Sequence, residues 1–528
     1  MPVRFILGRA GSGKTAWCLE AIRAELRRSS EGPPLLFLVP EQATFTMERA
    51  ILAGADAAAT CRAHVLSFRR LALRSLKEVG GAAHPPIGPL GKAMLLAAIL
   101  QEEGGWQLLG RAARTPGLVR QLMGTLKELQ AYRVDWQALE ATCRALARKG
   151  EGETALAAKL SDLAQLQRAL RARLEGRFSD PDELLTVASR RIAKWPFLRG
   201  ARLFVDGFAG FTPEELAVLG ILLRTVERAD IALCLDPERA DEPLHEADLF
   251  HPTQTTYQQL KAVAAAAGVA IEPPVHLAAA PPRRFARSAA LAALEAALAA
   301  KRDTSRPRAA RAGEAIRLCA AADRRAEVEA AAREIVRLCR DEGYRFREIG
   351  VIVWDLDPYA ELIHAVFTDL GIPHFIDRKE SVLHHPLVEL LCAALECVSL
   401  NWPYEAVSRC WKTDLIPVGR AVIDELENYV LSHGIRGRNQ YARPWRFGPR
   451  DGLQRGRSDR SDAGLDRLNA AREAAVRDLL AFHRAIGGQR TTVKTISAAL
   501  WDLLQSLDVP ATLTRWAEEA QASGDLVG

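Results

Sequence analysis

A phosphate-binding loop near the start of the sequence constrains the fold more than any other feature. Residues 8–15 read GRAGSGKT and match the pattern G-x-x-x-x-G-K-[ST]. An apolar run over residues 3–7 precedes the loop, and an amphipathic stretch over residues 16–26 follows it. Because such a loop lies between a buried strand and a helix N-terminus, this order predicts an α/β fold with a parallel sheet.

The residue types in the loop suit phosphate binding. Glycines let backbone N–H groups close around phosphate oxygens, and the helix N-terminus adds a partial positive charge. We expect Lys14 to reach the β- and γ-phosphates of ATP and the Thr15 hydroxyl to bind Mg²⁺. A structural glycine-rich turn is the alternative. The predicted ATP-binding residues are the whole loop, namely Gly8, Arg9, Ala10, Gly11, Ser12, Gly13, Lys14 and Thr15.

The composition is that of a globular protein with several domains. A chain of 528 residues is too long for one core, and its hydrophobic content of 48% and charged content of 26% are ordinary. The net charge of +6 permits a polyanionic partner. The nine cysteines show no C-x-x-C spacing, which argues against a disulfide framework or a zinc site and favours reduced cytosolic thiols. We expect no signal peptide before the first strand and no membrane-spanning segment.

Strand and helix patterns divide the sequence into α/β regions and helical insertions. Further strands of the first sheet are predicted at residues 35–39, 63–66, 203–205 and 231–235. Residues 90–177 show only helical periodicity. A basic, proline-containing linker at 301–311 precedes predicted strands at 316–319 and 349–353. The predicted domains are 1–85 with 190–300 as a first α/β domain, 86–189 as a helical insertion, 301–400 as the start of a second α/β domain, and 401–528 as a truncated helical insertion.

An acidic residue follows the apolar strand at 203–205. Asp206 at this position is the expected partner of Mg²⁺ in a chain with a phosphate loop, although a turn aspartate before glycine is the alternative. Active DNA-translocating ATPases usually have a glutamate directly after this aspartate, where it activates water. The residue here is Gly207, which cannot act as a base, so hydrolysis by the usual route is not expected. Glu214 and Glu215 follow in the first turn of a predicted helix, where Thr212 and Glu215 have capping-box spacing.

Arginines and aromatic residues alternate over residues 436–460. Arginine neutralises phosphate, and aromatic faces stack on unpaired bases, so this stretch is a candidate for nucleic-acid contact. A solvated charged loop is the alternative. The candidate DNA-binding residues here are Arg436, Arg438, Arg443, Trp445 and Arg446.

Several stretches, taken in order, resemble the B subunit of AddAB-type helicase–nucleases, which process double-strand DNA ends in bacteria. The most specific is FVDGFAGFTPEEL at 204–216, and FILGRAGSGKT at 5–15 carries the phosphate loop. The other matching stretches include FLVPEQATFTME at 37–48, VLSFRRLA at 65–72, LFHPTQTTYQQL at 249–260 and ENYVLSHGIRG at 427–437.

The resemblance implies a superfamily-one helicase-like fold, in which helix-rich RecA-like parallel-sheet domains carry large helical insertions. It implies ATP and Mg²⁺ as cofactors, with Thr15 and Asp206 near the metal. It also implies a partner A subunit, double-strand ends and single-stranded DNA as ligands, and a role in homologous recombination in the bacterial cytoplasm. Strand-end motifs of such proteins touch single-stranded DNA, which makes Gln42, Ser67 and Phe68 candidates. The B subunit is regarded as a non-translocating helicase relative, and Gly207 agrees with this.

The sequence also departs from this family. Its members are far longer and carry a nuclease domain and cysteines for a 4Fe–4S cluster, whereas the nine cysteines here do not match such a cluster. We therefore expect an N-terminal part with little ATPase and no nuclease activity. Two other functions stay open: a non-catalytic scaffold stabilised by nucleotide, and a phosphate-loop ATPase or kinase unrelated to DNA.

Overall fold

The computed structural model describes residues 2–53, 61–81, 84–113, 115–152, 154–243, 245–279, 281–299, 315–378, 382–447, 459–488 and 491–523. The chain forms two compact units, Met1–Cys319 and Ala320–Gly528. The predicted linker at 301–311 lies outside the described residues.

The first unit is built on a parallel sheet of seven strands. In space the strands follow the order β3-β2-β4-β5-β1-β6, and β7 also pairs with β1. Every pair is parallel. The strands are β1 (Pro2–Gly8), β2 (Leu35–Leu38), β3 (Ala63–Leu66), β4 (Arg202–Val205), β5 (Arg228–Cys234), β6 (Ala270–Ile271) and β7 (Val275–His276).

Both faces of this sheet are buried, which explains why its strands read as continuous apolar runs. Successive side chains of a strand point to opposite faces. Phe5 and Leu7 of β1 therefore belong to one hydrophobic core, while Ile6 belongs to the core on the other face. The same alternation places Leu36 with the first core and Phe37 with the second. The predicted parallel α/β sheet is confirmed for this unit.

Eleven α-helices of the first unit are described. In chain order they are α1 (Lys14–Arg28), α2 (Thr44–Leu52), α3 (Phe68–Val79), α4 (Pro89–Glu102), α5 (Pro116–Ala131), α6 (Trp136–Arg148), α7 (Ala155–Leu174), α8 (Leu184–Ile192), α9 (Pro213–Thr225), α10 (His251–Ala266) and α11 (Ala289–Ala299).

Helices α4 to α7 come between β3 and β4, in the stretch where the sequence shows helical periodicity only. Leu163, Leu166 and Leu170 of α7 pack with Leu96 and Ile99 of α4 in a core separate from those of the sheet. The two ends of this insertion meet at an isolated parallel bridge between Pro86 and Ser179. The helical insertion thus has its own core.

The second unit contains nine described α-helices and a main core among its later helices. They are α12 (Arg324–Asp341), α13 (Asp357–Asp369), α14 (Pro386–Ser399), α15 (Tyr404–Trp411), α16 (Arg420–His433), α17 (Arg438–Ala442), α18 (Asp459–Ile486), α19 (Val493–Ser506) and α20 (Val509–Ser523). Trp402, Trp411 and Tyr441 are buried at the centre of the main core. No helix in the described ranges of either unit is long and apolar enough to cross a membrane.

The two strands predicted at 316–319 and 349–353 are wrong for the described residues, because neither segment is a strand there. Leu318 and Ile352 are fully exposed, whereas Ile349 packs against the edge of a small core formed by α12 and α13. Neither segment is therefore buried on both faces, as a strand of a parallel sheet usually is. Helices α12 and α13, which follow these two segments, do form, and they pack together through Val328, Ile335 and Phe367. A parallel strand requires a neighbouring strand for its hydrogen bonds, and within the described residues neither segment pairs with one.

Candidate nucleotide-binding site

The phosphate loop joins β1 to α1, as the sequence predicts. β1 ends at Gly8 and α1 begins at Lys14. Two of the glycines have left-handed backbone conformations, with φ of +75° at Gly11 and +102° at Gly13. A residue with a Cβ is strained in this region. The glycines therefore allow the tight turn that brings the chain to the N-terminus of α1.

The ammonium of Lys14 is held within the loop. Its Nζ donates hydrogen bonds to the carbonyl oxygens of Gly8 at 2.8 Å and of Arg9 at 2.9 Å. Both acceptors belong to the loop itself, so the lysine stays at the corner between β1 and α1. A cation at this corner lies where a helix N-terminus binds phosphate groups, so Lys14 can contact the same anions.

The side chains of Thr15 and Asp206 meet at the carboxyl edge of the sheet. The Thr15 hydroxyl donates to Asp206 Oδ2 at 2.5 Å. Asp206 follows β4, is buried, and makes no ion pair with any described residue. Burial raises the pKa of its carboxyl above the ordinary value, against the opposing effects of the Thr15 hydroxyl, the Gly207 N–H and the nearby Lys14 ammonium. The Thr15 hydroxyl and the Asp206 carboxylate thus form a pair of adjacent oxygen ligands, and burial disfavours the ionised form of the carboxylate.

This pair of oxygens suits Mg²⁺. The cation prefers hard oxygen ligands and is usually held by one or two protein groups together with nucleotide phosphates. A buried carboxylate with no cationic partner is stabilised by a divalent ion, and the hydroxyl that faces it can rotate toward the same ion. Thr15 and Asp206 therefore fit the metal role predicted for them.

Gly207 has a conformational reason for being glycine. Its φ is +84°, and a Cβ added there would lie 3.1 Å from Cδ of Pro40. Both the backbone and the space around it thus oppose a glutamate at this position. The two glutamates that follow are engaged elsewhere. Glu215 closes a capping box with Thr212, as predicted, and buried Glu214 accepts a hydrogen bond from Thr186.

A segment beyond β7 packs against the phosphate loop, which the sequence did not indicate. The N–H of Arg284 donates to the carbonyl oxygen of Gly11 at 3.2 Å. Arg9, at the second position of the loop, forms an ion pair with Glu295 of α11 at 3.1 Å. The only sign in the sequence is a Pro-Arg-Arg-Phe run at 282–285, which fits no motif.

The three strand-end candidates for DNA contact differ in exposure. Gln42 is exposed at the carboxyl edge of the sheet. Ser67 is buried, and its hydroxyl caps α3 and donates to Glu41. Phe68 is also buried, with its ring edge-on to Phe208 at a centroid distance of 5.6 Å. The structure therefore corrects the prediction for Ser67 and Phe68 as surface contacts, because tertiary packing covers both side chains.

The arginine-rich stretch of the second unit is described up to residue 447. Arg436, Arg438, Arg443 and Arg446 are exposed, and none of them forms an ion pair within the described residues. Trp445 is buried and stacks on Tyr429 at a centroid distance of 4.3 Å. The prediction of Trp445 as a base-stacking residue is therefore wrong, since its ring belongs to the core. The exposed aromatic ring is that of Phe447. Arg450, Arg455 and Arg457 lie outside the described residues.

The parallel sheet, the phosphate loop and the acidic residue after β4 together define an α/β protein of the phosphate-loop class. A family model described as "ADDB, N-terminal" matches residues 5–295, and the chain belongs to this family. The family resemblance predicted from the sequence is confirmed.

Three relatives, each named as the B subunit of an ATP-dependent helicase/deoxyribonuclease, show how much of the family the chain covers. It is 48% identical over 529 residues to the protein of Moorella thermoacetica, covering 100% of this chain and 45% of the relative. The protein of the same name from Heliobacterium modesticaldum is 46% identical over 535 residues, covering 99% of this chain and 43% of the relative. That of Geobacillus kaustophilus is 38% identical over 541 residues, covering 100% of this chain and 46% of the relative. The chain thus spans less than half the length of the relatives it matches.

Proposed function

We propose that the chain is the nucleotide-binding and DNA-binding part of the B subunit of a helicase–nuclease complex. In this proposal the complex processes double-strand DNA ends for homologous recombination in the bacterial cytoplasm. The chain binds ATP and Mg²⁺ but does not translocate along DNA. Its partner is the A subunit, which supplies the motor. The relatives' name, which joins a helicase to a deoxyribonuclease and marks one subunit of several, supports the class of complex.

The observation that carries the proposal is the contact between Thr15 and Asp206 beside Gly207. Thr15 and Asp206 provide oxygen ligands for Mg²⁺, and Lys14 provides a cation for the β- and γ-phosphates. ATP would supply negatively charged phosphate oxygens at this site, and Lys14, Thr15 and Asp206 would orient these phosphates and the metal ion. Gly207 occupies the position where a base would be needed to activate water for hydrolysis. In this proposal the bound ATP is therefore not hydrolysed there and serves to order the loop.

DNA contact is assigned to two exposed regions, one in each unit. The first is the carboxyl edge of the sheet at Gln42, where parallel α/β folds bind ligands. The second is the arginine surface, defined here as Arg436, Arg438, Arg443, Arg446 and the exposed ring of Phe447. Four guanidinium groups without ion pairs among the described residues are free to neutralise phosphate, and a free aromatic face can stack on a base.

Nucleotide binding is tested with Lys14→Ala, and Lys77→Ala of α3 is the control because Lys77 is exposed and makes no ion pair within the described residues. A fluorescent ATP analogue with Mg²⁺ should bind the wild type and the control alike, and binding to Lys14→Ala should be lost. Steady ATP turnover without DNA would instead favour an unrelated phosphate-loop enzyme.

DNA binding is tested with a tailed duplex at rising salt concentration. Contacts to phosphate predict an affinity that falls steeply as salt increases. Failure to bind at low salt, with and without an A subunit, would contradict the DNA-binding role. Unchanged end processing by a complex assembled with Lys14→Ala would favour the scaffold alternative, in which nucleotide only stabilises the fold.

A further inference from the structure

The segment over residues 282–299 closes over the phosphate loop and brings two arginines to it. We propose that Arg283 and Arg284 bind the phosphates of the nucleotide held by the loop, so that this segment is a second half of the nucleotide site. The inference rests on the proposed nucleotide binding. It concerns residues that no motif in the sequence marks and that come from beyond the last strand of the sheet.

The segment is fixed to the loop at three points. The Arg284 N–H donates to the Gly11 carbonyl at 3.2 Å. A Cβ on Gly11 would lie 2.8 Å from Cβ of Arg284 and 3.0 Å from the ring of Phe285, so the glycine allows a close approach of the two backbones. Arg9 and Glu295 form the third point at 3.1 Å, with both side chains mostly buried. These contacts hold the Arg283–Arg284 pair beside the phosphate loop.

The cations around the loop differ in whether they already have partners. Lys14 donates to two loop carbonyls, and Arg9 is paired with Glu295. The guanidinium groups of Arg283 and Arg284 are exposed and make no hydrogen bond or ion pair with any described residue. Both guanidinium groups are therefore free to bind an anion at the loop together with Lys14.

The position of Arg283 points to the helix N-terminus. Its Cδ lies 3.6 Å from where a Cβ on Gly13 would be, and Gly13 is the N-cap of α1. Phosphate groups bind at this end of a helix because its first amides are unpaired and its dipole is positive. An arginine at the same end adds a full charge and a planar set of donors that matches phosphate oxygens.

A buried polar group in the loop independently indicates a ligand. Ser12 is only 4% exposed, and its hydroxyl oxygen has no hydrogen-bond partner among the described residues. An unpartnered buried hydroxyl is costly, and a phosphate oxygen at the loop would satisfy it. The orphaned hydroxyl, the open helix N-terminus and the two unpaired arginines converge on the loop that precedes α1.

The test measures binding of ATPγS, in the presence of Mg²⁺, to the full chain. Arg283→Gln and Arg284→Gln should each weaken ATPγS binding about tenfold, because each loses a charge-assisted contact to phosphate. Arg287→Gln is the matched control, since Arg287 is exposed in the same segment and its side chain makes no hydrogen bond or ion pair with any described residue. The affinity of this variant should stay within about twofold of wild type. Arg283→Lys and Arg284→Lys should recover part of the loss, because they retain the positive charge.

The outcomes separate this inference from the function on which it rests. If Lys14→Ala abolishes binding while both glutamine variants bind like wild type, the arginines do not bind phosphate and only the inference fails. If the wild type itself binds no nucleotide, the proposed function fails. Thermal unfolding without nucleotide identifies a glutamine variant that is misfolded, and for such a variant the lysine substitution decides. A folded lysine variant whose ATPγS affinity lies between wild type and a tenfold loss supports the contact, because the charge is kept and the planar set of donors is lost. A folded lysine variant with an affinity within about twofold of wild type overturns it.

Discussion

The side-chain oxygens of Thr15 and Asp206 lie 2.5 Å apart, although 191 positions separate the two residues in the chain. Thr15 is in the first turn of α1, and Asp206 directly follows β4. The parallel sheet order places the ends of β4, β5 and β1 at one edge, which brings the two residues together. A candidate metal site is therefore a consequence of the sheet topology, and its parts can be tested separately from the fold.

We expect Asp206→Asn to remove the Mg²⁺ dependence of nucleotide binding without unfolding the protein. Asparagine can still accept the Thr15 hydrogen bond, but it lacks the charge that a divalent cation needs. Because burial raises the pKa of Asp206, its ionised form opposes folding above the ordinary Asp pKa of 3.8. The variant should therefore be as stable as wild type or more stable at pH 7, and the two should converge as the pH falls below this value.

Titration of nucleotide with and without Mg²⁺, together with urea unfolding, checks both parts. The control is Asp241→Asn, whose side chain is 73% exposed and pairs only with Lys261 among the described residues. An Asp206→Asn protein that keeps the full Mg²⁺ effect would show that the metal binds elsewhere.

Gly207→Glu is expected to destabilise the protein and to confer no ATPase activity. A residue with a Cβ at φ of +84° costs about 1–2 kcal/mol, and contact with Pro40 adds to this. Gly207→Ala should show the same backbone cost, whereas Gly210→Ala should be nearly neutral because its added Cβ meets only the Thr256 hydroxyl, at 3.6 Å. Urea unfolding and phosphate release measure the two effects. A stable Gly207→Glu protein that turns over ATP would contradict the conformational argument.

The features predicted correctly from the sequence are those that depend on local pattern. The loop at 8–15 has a fixed spacing, strands β1 to β5 are apolar runs buried on both faces, and the capping box at Thr212 is complete within four residues. Strands β6 and β7 were missed because each has only two residues and neither contains a buried residue. Two paired residues leave no periodic signal.

The features missed or mistaken depend on contacts between distant residues. Phe68 follows a strand end and was for that reason a candidate for DNA contact, but packing against Phe208 from beyond β4 makes it a core residue. The contact of Arg284 with Gly11 joins parts of the chain that no local pattern connects. The segment at 349–353 has the composition of a strand, but a strand also requires a partner, which composition does not reveal. Whether a side chain is exposed and free to bind a ligand therefore depends on tertiary packing, whereas helices and strands follow mainly from local sequence pattern.

Phe447 and Trp445 are expected to separate DNA binding from folding. Phe447 is 72% exposed, so Phe447→Ala should leave stability within about 0.5 kcal/mol of wild type. It should weaken binding of single-stranded DNA about tenfold, because one base loses its stacking surface. Trp445→Ala should instead cost about 3–5 kcal/mol of stability, because it removes a buried ring stacked on Tyr429.

Fluorescence anisotropy with a labelled oligonucleotide and urea unfolding provide the two readouts. Arg436→Gln and Arg446→Gln should reduce the salt dependence of DNA binding, because each removes one phosphate contact. Phe447→Ala protein with unchanged DNA affinity, combined with an unchanged salt slope in the arginine variants, would remove the arginine surface from the proposed function.

Glu427 is expected to stabilise the second unit in a way that depends on pH. Its carboxylate accepts hydrogen bonds from Tyr404 and Ser408, each at 2.7 Å, and pairs with Lys412 at 2.6 Å. Burial acts to raise the pKa of Glu427, but these three contacts outweigh it and lower the pKa from 4.5 to about 2. The stabilisation is therefore fully present above pH 4.5 and is lost as the pH falls from 4.5 toward 2.

Glu427→Gln should lower the free energy of unfolding at pH 7 by about 1–3 kcal/mol, because a charged acceptor shared by three donors becomes neutral. The difference from wild type should stay constant from pH 7 to pH 5 and begin to shrink below about pH 4.5. Urea unfolding followed by tryptophan fluorescence measures it, since Trp402 and Trp411 lie in the same core. Glu425→Gln is the control: that side chain is 50% exposed and pairs with Arg467, so its loss should change stability by less than about 0.5 kcal/mol. A Glu427→Gln effect that is small at pH 7 or independent of pH down to 3 would show that the network around Glu427 does not stabilise this unit.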